Sequence, residues 1–238
     1  MNHTVVSRAQ WIENRKQLLQ KEKEFTKALD QLNEQRRALP WVKVEKEYVF
    51  DTPAGRKTLS ELFDGRSQLI VYHFMYGPEM KEGCVGCSFY GDHIDGPNLH
   101  VSHHDVTFVA ASRAPLATLE AYKQRMGWRF DWVSSAPSDF NYDFGVSFRK
   151  EDIERGSATY NFGSEKVTMP DLHGTSVFFK DTDGAIYHTY SVYGRGDERG
   201  LGAYAMLDIT PKGRQENING NLTDWVRRHD QYDAAQKS

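Results

Sequence analysis

Cysteine is nearly absent from this chain: 238 residues contain two, Cys84 and Cys87. So sparse a pair excludes the multi-bridge framework that holds small secreted domains together. Long apolar runs are also missing. None approaches the roughly 20 residues that span a bilayer as a helix, so no membrane partner is expected. Charge of one sign is not in excess either. Thirty Lys and Arg oppose 33 Asp and Glu, a net charge of −3, and no global field favours nucleic acid or an anionic surface. The opening MNHTVVSRAQW turns polar at once, without the apolar core of a secretory signal. A cytoplasmic location is the expectation. What is present is ordinary for a globular protein, with 39% hydrophobic and 13% aromatic residues. That suffices for a normal core in one large domain, or a domain with an appendage.

Glycine and proline are missing from residues 8–39, a segment rich in Gln, Glu, Lys and Leu. The spacing predicts one long helix, with Ser7 as N-cap and Pro40 past its far end. Trp11, Leu18, Phe25, Leu32 and Leu39 recur every seven residues, and Ile12, Leu19 and Leu29 widen the stripe. The intermediate heptad positions are mostly polar, so this is half a coiled-coil seam. Such a helix measures about 45–50 Å at 1.5 Å per residue, enough to overhang a domain of this size. A stripe laid on its own domain needs no partner. An overhanging stripe needs a second subunit, and a homodimer is the expectation.

From residue 41 the texture changes to alternating strands and helices. The pattern predicts a short strand, a turn at Thr52-Pro53-Ala54-Gly55, a short helix after Thr58 and a buried strand over 68–75. A second buried strand covers 105–113. A helix opens at Pro115 and closes at Gly127, and WRFDWVSS is a third strand. Residues 135–172 lack clear periodicity and read as an insertion. TSVFFKDTDGAIYHTYSVY reads as a β-hairpin turning at Asp183-Gly184. GLGAYAMLDIT and NLTDWVRRHDQY read as helices, the latter capped near Asn221 or Thr223. The expected class is α/β with a mixed central sheet, flanking helices and a long N-terminal helix. The expected division is an extension over 1–40 and a domain over 41–238 that ends in a C-terminal helical extension.

Both cysteines lie in EGCVGCSFYGDHIDGPNLHVSHH, residues 82–104, with four of the nine histidines. A strand ending near Tyr76, a loop through Gly83 and a helix opening at Cys84 would set that sulfur over unpaired backbone N–H groups. Such a site favours the thiolate. Cys87, one turn on, would be more buried and close enough for a disulfide. Cys84 would then attack and Cys87 would resolve the mixed disulfide, with a protein or small-molecule thiol or disulfide as partner and no cofactor. A rival reading takes Cys84, Cys87, His93 and His100 as zinc ligands, with His103 and His104 nearby. Against it, Gly96-Pro97 interrupts the helix and HVSHHDV runs into a strand. Two inert cysteines are the third reading.

Residues 41 to about 215 resemble the thioredoxin-like superfamily. More narrowly, the chain resembles a bacterial family of unknown function described as predicted dithiol–disulfide oxidoreductases. The resemblance rests on EKEFTKALDQLNEQRRALPWVKVEKEYVFDT, GCVGCSFYGDHIDG, VTFVAASRAPLATLEAYKQRMGW, TSVFFKD, HTYSVYGRG and LDITPKGRQE. It implies a central mixed sheet, the dithiol at the start of a helix and a helical N-terminal extension. Departures follow. Val85-Gly86 stands between the cysteines where thioredoxins carry Gly-Pro, and Thr175 stands where they place a cis-proline facing the dithiol. Peroxiredoxins use P-x-x-x-[ST]-x-x-C. Pro78 lies six residues before Cys84 with no matching Thr or Ser, which disfavours that chemistry. The resemblance makes His73 the candidate for the place of a buried acid on the strand before the dithiol; a core histidine bonded to backbone is the plainer reading. Arg113 and Arg195 are candidate anion-binding residues, with structural ion pairing as the alternative for each. Tyr190 and Tyr193 either line a pocket or pack a strand. Arg195-Gly196-Asp197 reads as a loop.

Overall fold

The computed structural model describes residues 3–217 and 224–232. The chain divides into two units, one ending at Pro40 and one beginning at Trp41. The first is essentially one helix, α1 (Arg8–Arg37), started by Ser7 in a capping box with Gln10. The Ser7 side chain accepts from the Gln10 N–H, and the Gln10 side chain accepts from the Ser7 N–H, so two orphan helix-end donors are satisfied. The helix stops at Ala38, two residues before Pro40. Trp11, Leu18, Phe25 and Leu32 are all exposed along it.

The second unit contains an eight-stranded mixed sheet. Its strands are β1 (Val42–Lys43), β2 (Val49–Thr52), β3 (Gly55–Thr58), β4 (Gln68–His73), β5 (Val106–Ser112) and β6 (Asp131–Ser134), joined by two later strands, β9 (Gly174–Lys180) and β10 (Ile186–Tyr193). Between β4 and β5 lie α2 (Val85–Gly91) and α3 (Asp95–Val101), and α4 (Leu116–Met126) links β5 to β6. The order is β1-β10-β9-β4-β5-β6-β2-β3. The run β4-β5-β6 is parallel, because a helix crosses over between successive strands. The hairpin β9-β10 adds antiparallel beside β4, and β2-β3 adds antiparallel beside β6. The fold is thioredoxin-like α/β, a mixed central sheet flanked by helices.

Alternation on the central strands divides the core into two faces. Tyr72, Phe74, Ala110 and Trp132 face one way and pack with Cys87, Leu119, Tyr122 and Met126 of the flanking helices. Leu69, Val71, Val109 and Val133 face the other way and pack with Phe50, Phe63, Phe140 and Phe178. Fully burying side chains of this size contributes about 2–3 kcal/mol each.

The insertion is not structureless. It holds α5 (Phe140–Asp143), α6 (Lys150–Glu154) and a small ribbon of β7 (Thr159–Tyr160) with β8 (Glu165–Lys166). A single turn of helix and two-residue strands are too short to leave a periodic signal. After β10 come a 3₁₀ segment, Gly194–Gly200, and α7 (Gly202–Asp208). The expected C-terminal helix is corrected: residues 226–228 are irregular and only His229–Gln231 form a 3₁₀ turn. Its proposed caps, Asn221 and Thr223, lie outside the described residues. The helix break expected at Gly96-Pro97 falls earlier, at 92–94, and Pro97 sits in the first turn of α3, where its missing N–H costs nothing.

Candidate active site

β4 delivers the chain to the dithiol. Beyond it the chain runs as a loop until Cys84 N–H donates to Met75 O at 3.1 Å, and Cys84 then takes the N-cap position of α2. Ser88 Oγ donates to Cys84 O at 2.8 Å and meets Tyr122 Oη at 2.9 Å, which fixes the first turn against α4. At the other end of α2, Gly91 lies against the Trp128 indole. A Cβ there would stand 2.8 Å from Trp128 Cζ2, so no larger residue fits without displacing the ring.

The two thiols are free and differ sharply. Cys84 is half-buried, and its pKa is pulled from the ordinary thiol range down to about 6. The main cause is hydrogen bonding from the Cys87 thiol; burial opposes it, and the Cys87 and Gly86 amides and the Arg228 charge assist. Cys87 is 2% exposed, and burial, followed by the neighbouring Cys84 sulfur, pushes its thiol well up. The Met75 N–H points at the Cys87 sulfur at 3.4 Å. Arg228 reaches the dithiol loop from the distant C-terminal segment. It donates to Gly83 O and to Tyr122 Oη, each at 2.7 Å, and pairs with Glu82 at 3.1 Å.

Cys84 opens onto a cavity of about 480 Å³, with the buried Cys87 in its wall. Tyr72, Phe89, Tyr90 and Tyr204 form its aromatic walls, and Asp197, Glu198, Arg195 and His173 add polar groups. Asp197 is 7% exposed, and its Oδ2 has no hydrogen-bond partner. Burial raises its pKa to about 7, against a smaller opposing effect of the Thr175 hydroxyl. Thr175 Oγ1 is likewise buried and without a well-formed hydrogen bond. Thr175 pairs with Tyr72 across β4 and β9, on the dithiol side of the sheet.

The remaining expected site residues separate. His73 is fully buried on the opposite face, stacked on Phe140 at 5.4 Å. It is not beside the dithiol, because one residue along a strand reverses the face; Tyr72 occupies the dithiol side. Its partners are side chains, not backbone: Ser176 Oγ at 2.9 Å and Asn141 Oδ1 at 3.4 Å, in a polar chain continued by Ser191 and His188. Burial lowers its pKa to about 4. Arg113 is held in a bidentate pair with Asp171, both contacts 2.7 Å, and is away from the dithiol cavity. Arg195 lines the cavity but is forked onto Glu198 at 2.6 and 3.2 Å. Tyr193, at the end of β10, donates to Phe144 O at the end of α5, at 2.9 Å.

Among the described residues no three His, Cys, Asp or Glu side chains gather as a metal-binding group. The rival ligands are dispersed. His93 is engaged by Phe89 O at 2.6 Å and the Ala203 N–H at 3.1 Å, and His100 is exposed on α3. Asp197, Arg228 and Tyr72 are the site residues that sequence reasoning passed over. Only Tyr72 left a signal there, the alternation within LIVYHFMY.

These features define a thioredoxin-like protein with an asymmetric C-x-x-C dithiol beside a buried acid. The chain belongs to the family described as "Bacterial protein of unknown function (DUF899)", whose model matches residues 1–232. No functionally curated protein matches it. Similar solved structures include peroxidoxin BcpB from Mycobacterium tuberculosis, at 15% identity over 68% of this chain and 93% of that one, with a TM-score of 0.46. PrxQ from Xylella fastidiosa is similar at 15% identity over 67% and 88%, with a TM-score of 0.43. Prx1a from Plasmodium yoelii follows at 13% over 69% and 80%, with a TM-score of 0.41. Among the described residues no helix is long and apolar enough to cross a membrane.

Proposed function

We propose that this protein is a thiol–disulfide oxidoreductase in which Cys84 attacks and Cys87 resolves. The observation that carries the reading is the division of labour between the two thiols. Cys84 is reachable from a cavity and held low at about 6, while Cys87 is buried and held high. At neutral pH Cys84 is mostly thiolate, the nucleophilic form, and Cys87 stays protonated.

Cys84 thiolate attacks one sulfur of a substrate disulfide, and the other sulfur leaves as thiolate. Cys87 gives up its proton and attacks the Cys84 sulfur of the mixed disulfide. The Cys84–Cys87 disulfide forms and the second substrate thiol leaves, so two electrons have passed to substrate. A second dithiol, or two monothiols, restores the reduced pair by the reverse steps. Tyr72, against the Cys87 sulfur, and Arg228, over the Gly83 loop, hold this geometry.

The test is a thiol count by mass spectrometry before and after mild oxidation. Oxidation should cost two thiols, leave the protein monomeric in disulfide connectivity and be reversed by dithiothreitol. Cys84→Ser should abolish it. Two slowly alkylating thiols that form no disulfide would remove the proposal.

A further inference from the structure

Asp197 is a buried carboxyl group that the exchange steps do not use. Its Oδ2 has no partner, although an unsatisfied buried polar atom costs about 1–3 kcal/mol. It lines the same cavity as Cys84. A group kept at that cost in an aromatic-walled hollow marks a place where a ligand supplies the missing partner.

The chemistry of that partner follows from the walls. Three carboxyl side chains, Asp197, Glu165 and Glu198, line the cavity against one guanidinium, that of Arg195. Arg195 is already forked onto Glu198, and Arg214 also reaches Glu198, at 2.8 Å. Glu165 accepts from a neutral amide, Asn161 Nδ2 at 3.0 Å. The uncommitted charge facing the cavity is therefore negative. His173 adds none of the opposite sign, because burial lowers its pKa and keeps the ring neutral. The aromatic walls suit a cation, whose charge is attracted by ring faces in a desolvated site. The volume of about 480 Å³ lies within the range of small-molecule pockets.

We infer that this cavity recognises a low-molecular-weight disulfide or thiol bearing a primary ammonium group, with the Asp197 carboxylate as its counter-ion beside the attacking Cys84 sulfur. The inference rests on the redox reading of Cys84 and names the substrate class of that same site. Exchange with such a disulfide balances as above: the Cys84–S–S–R bond forms, the substrate S–S bond breaks, and an aminothiolate leaves. Burial, opposed in part by the Thr175 hydroxyl, raises the Asp197 pKa to about 7, and a bound ammonium offsets the cost of ionising it.

Two probe sets test recognition and chemistry separately, with the full-length reduced protein at pH 7.5. The reacting set is cystamine, bis(2-hydroxyethyl) disulfide and 3,3′-dithiodipropionate, with oxidation rates divided by those of 2-mercaptoethanol. Cystamine should lead the dicarboxylate by tenfold or more. Asp197→Asn, close in shape to aspartate, should remove most of that lead. The non-reacting set is 2-(methylthio)ethylamine against 3-(methylthio)propionate, read as a shift of the melting temperature. Only the amine should stabilise the wild type, and Asp197→Asn should lose the shift. Equal normalised rates for the three disulfides, or a cystamine lead untouched by Asp197→Asn, overturns the inference while leaving the redox reading intact. Amine binding without oxidation by any disulfide upholds the recognition and removes the redox reading. Neither binding nor discrimination removes the inference outright.

Discussion

Tyr72 and Tyr90 stack face to face, with ring centroids 4.1 Å apart and planes 7° from parallel. Tyr72 belongs to the strand that leads to the dithiol and Tyr90 to the helix that carries it. The stack pins one to the other, and both rings form walls of the cavity onto which Cys84 opens. The position of the Cys84 sulfur is thus set by a packing contact between two elements, and its low pKa by its neighbours.

The alkylation rate of Cys84 should rise with pH through a midpoint near 6, because only the thiolate reacts. The Cys87 thiol is the largest contributor to that low value, so Cys87→Ala should move the midpoint upward by about one pH unit or more. Iodoacetamide kinetics followed by mass spectrometry measure both. An unmoved midpoint in Cys87→Ala would show that the backbone and Arg228 hold the thiolate unaided.

Asp197→Asn should stabilise the protein at alkaline pH. The folded pKa of about 7 lies above the unfolded value near 4, so the folded state binds the extra proton and loses stability as pH rises from 4 to 7. The lost amount is of order 4 kcal/mol at pH 8, since each pH unit separating the folded and unfolded pKa values is worth about 1.4 kcal/mol. Urea unfolding of both proteins at pH 8 and pH 4 tests this. The gain should be largest at pH 8 and fade at pH 4.

His73 acts in the opposite sense. Its folded pKa of about 4 lies below the usual 6.5, so the unfolded chain binds the proton first. Stability falls as pH drops from about 6.5 to 4, by roughly 3 kcal/mol in total. His73→Gln, which keeps hydrogen-bonding capacity towards Ser176 and Asn141 but does not titrate, should flatten that part of the pH–stability curve. An equally steep acid loss in the variant would assign it to other groups.

Asp171→Asn should destabilise the fold by about 3–5 kcal/mol, the usual cost of removing one partner of a buried ion pair. Asp171 is 6% exposed, accepts both Arg113 nitrogens and also takes the Ser147 hydroxyl at 2.7 Å. Because this pair is away from the dithiol cavity, the Cys84 alkylation midpoint should stay unchanged at temperatures where the variant remains folded.

The exposed apolar stripe of α1, spaced every seven residues, should place two chains together. Light scattering at micromolar concentration should give twice the chain mass of 27.4 kDa. Phe25→Glu and Leu18→Glu, on that stripe, should shift the mass towards the monomer without altering thiol chemistry. A monomeric wild type would leave the stripe with no role in assembly.

Local signals carried much of the architecture. A capping serine, an unbroken helix-forming segment and a proline past its end set α1 within a residue or two, because a helix is made of contacts three and four residues apart. The strand–helix alternation after residue 65 and the Asp183-Gly184 turn are equally local, and they specify the α/β class and the hairpin. The cysteine pair named itself by spacing. What lay beyond the sequence was everything decided across the sheet. Strand alternation says that Tyr72 and His73 point to opposite faces, but only docked helices say which face holds the dithiol. Asp197 sits in GRGDERG, a segment with no periodicity, and becomes notable only because β10 carries it to the cavity that Cys84 lines. Arg228 reaches the Gly83 loop across 145 positions of sequence. Burial, the main force on the Asp197, His73 and Cys87 pKa values, belongs to no residue alone; it exists only once distant segments have excluded water from the same volume.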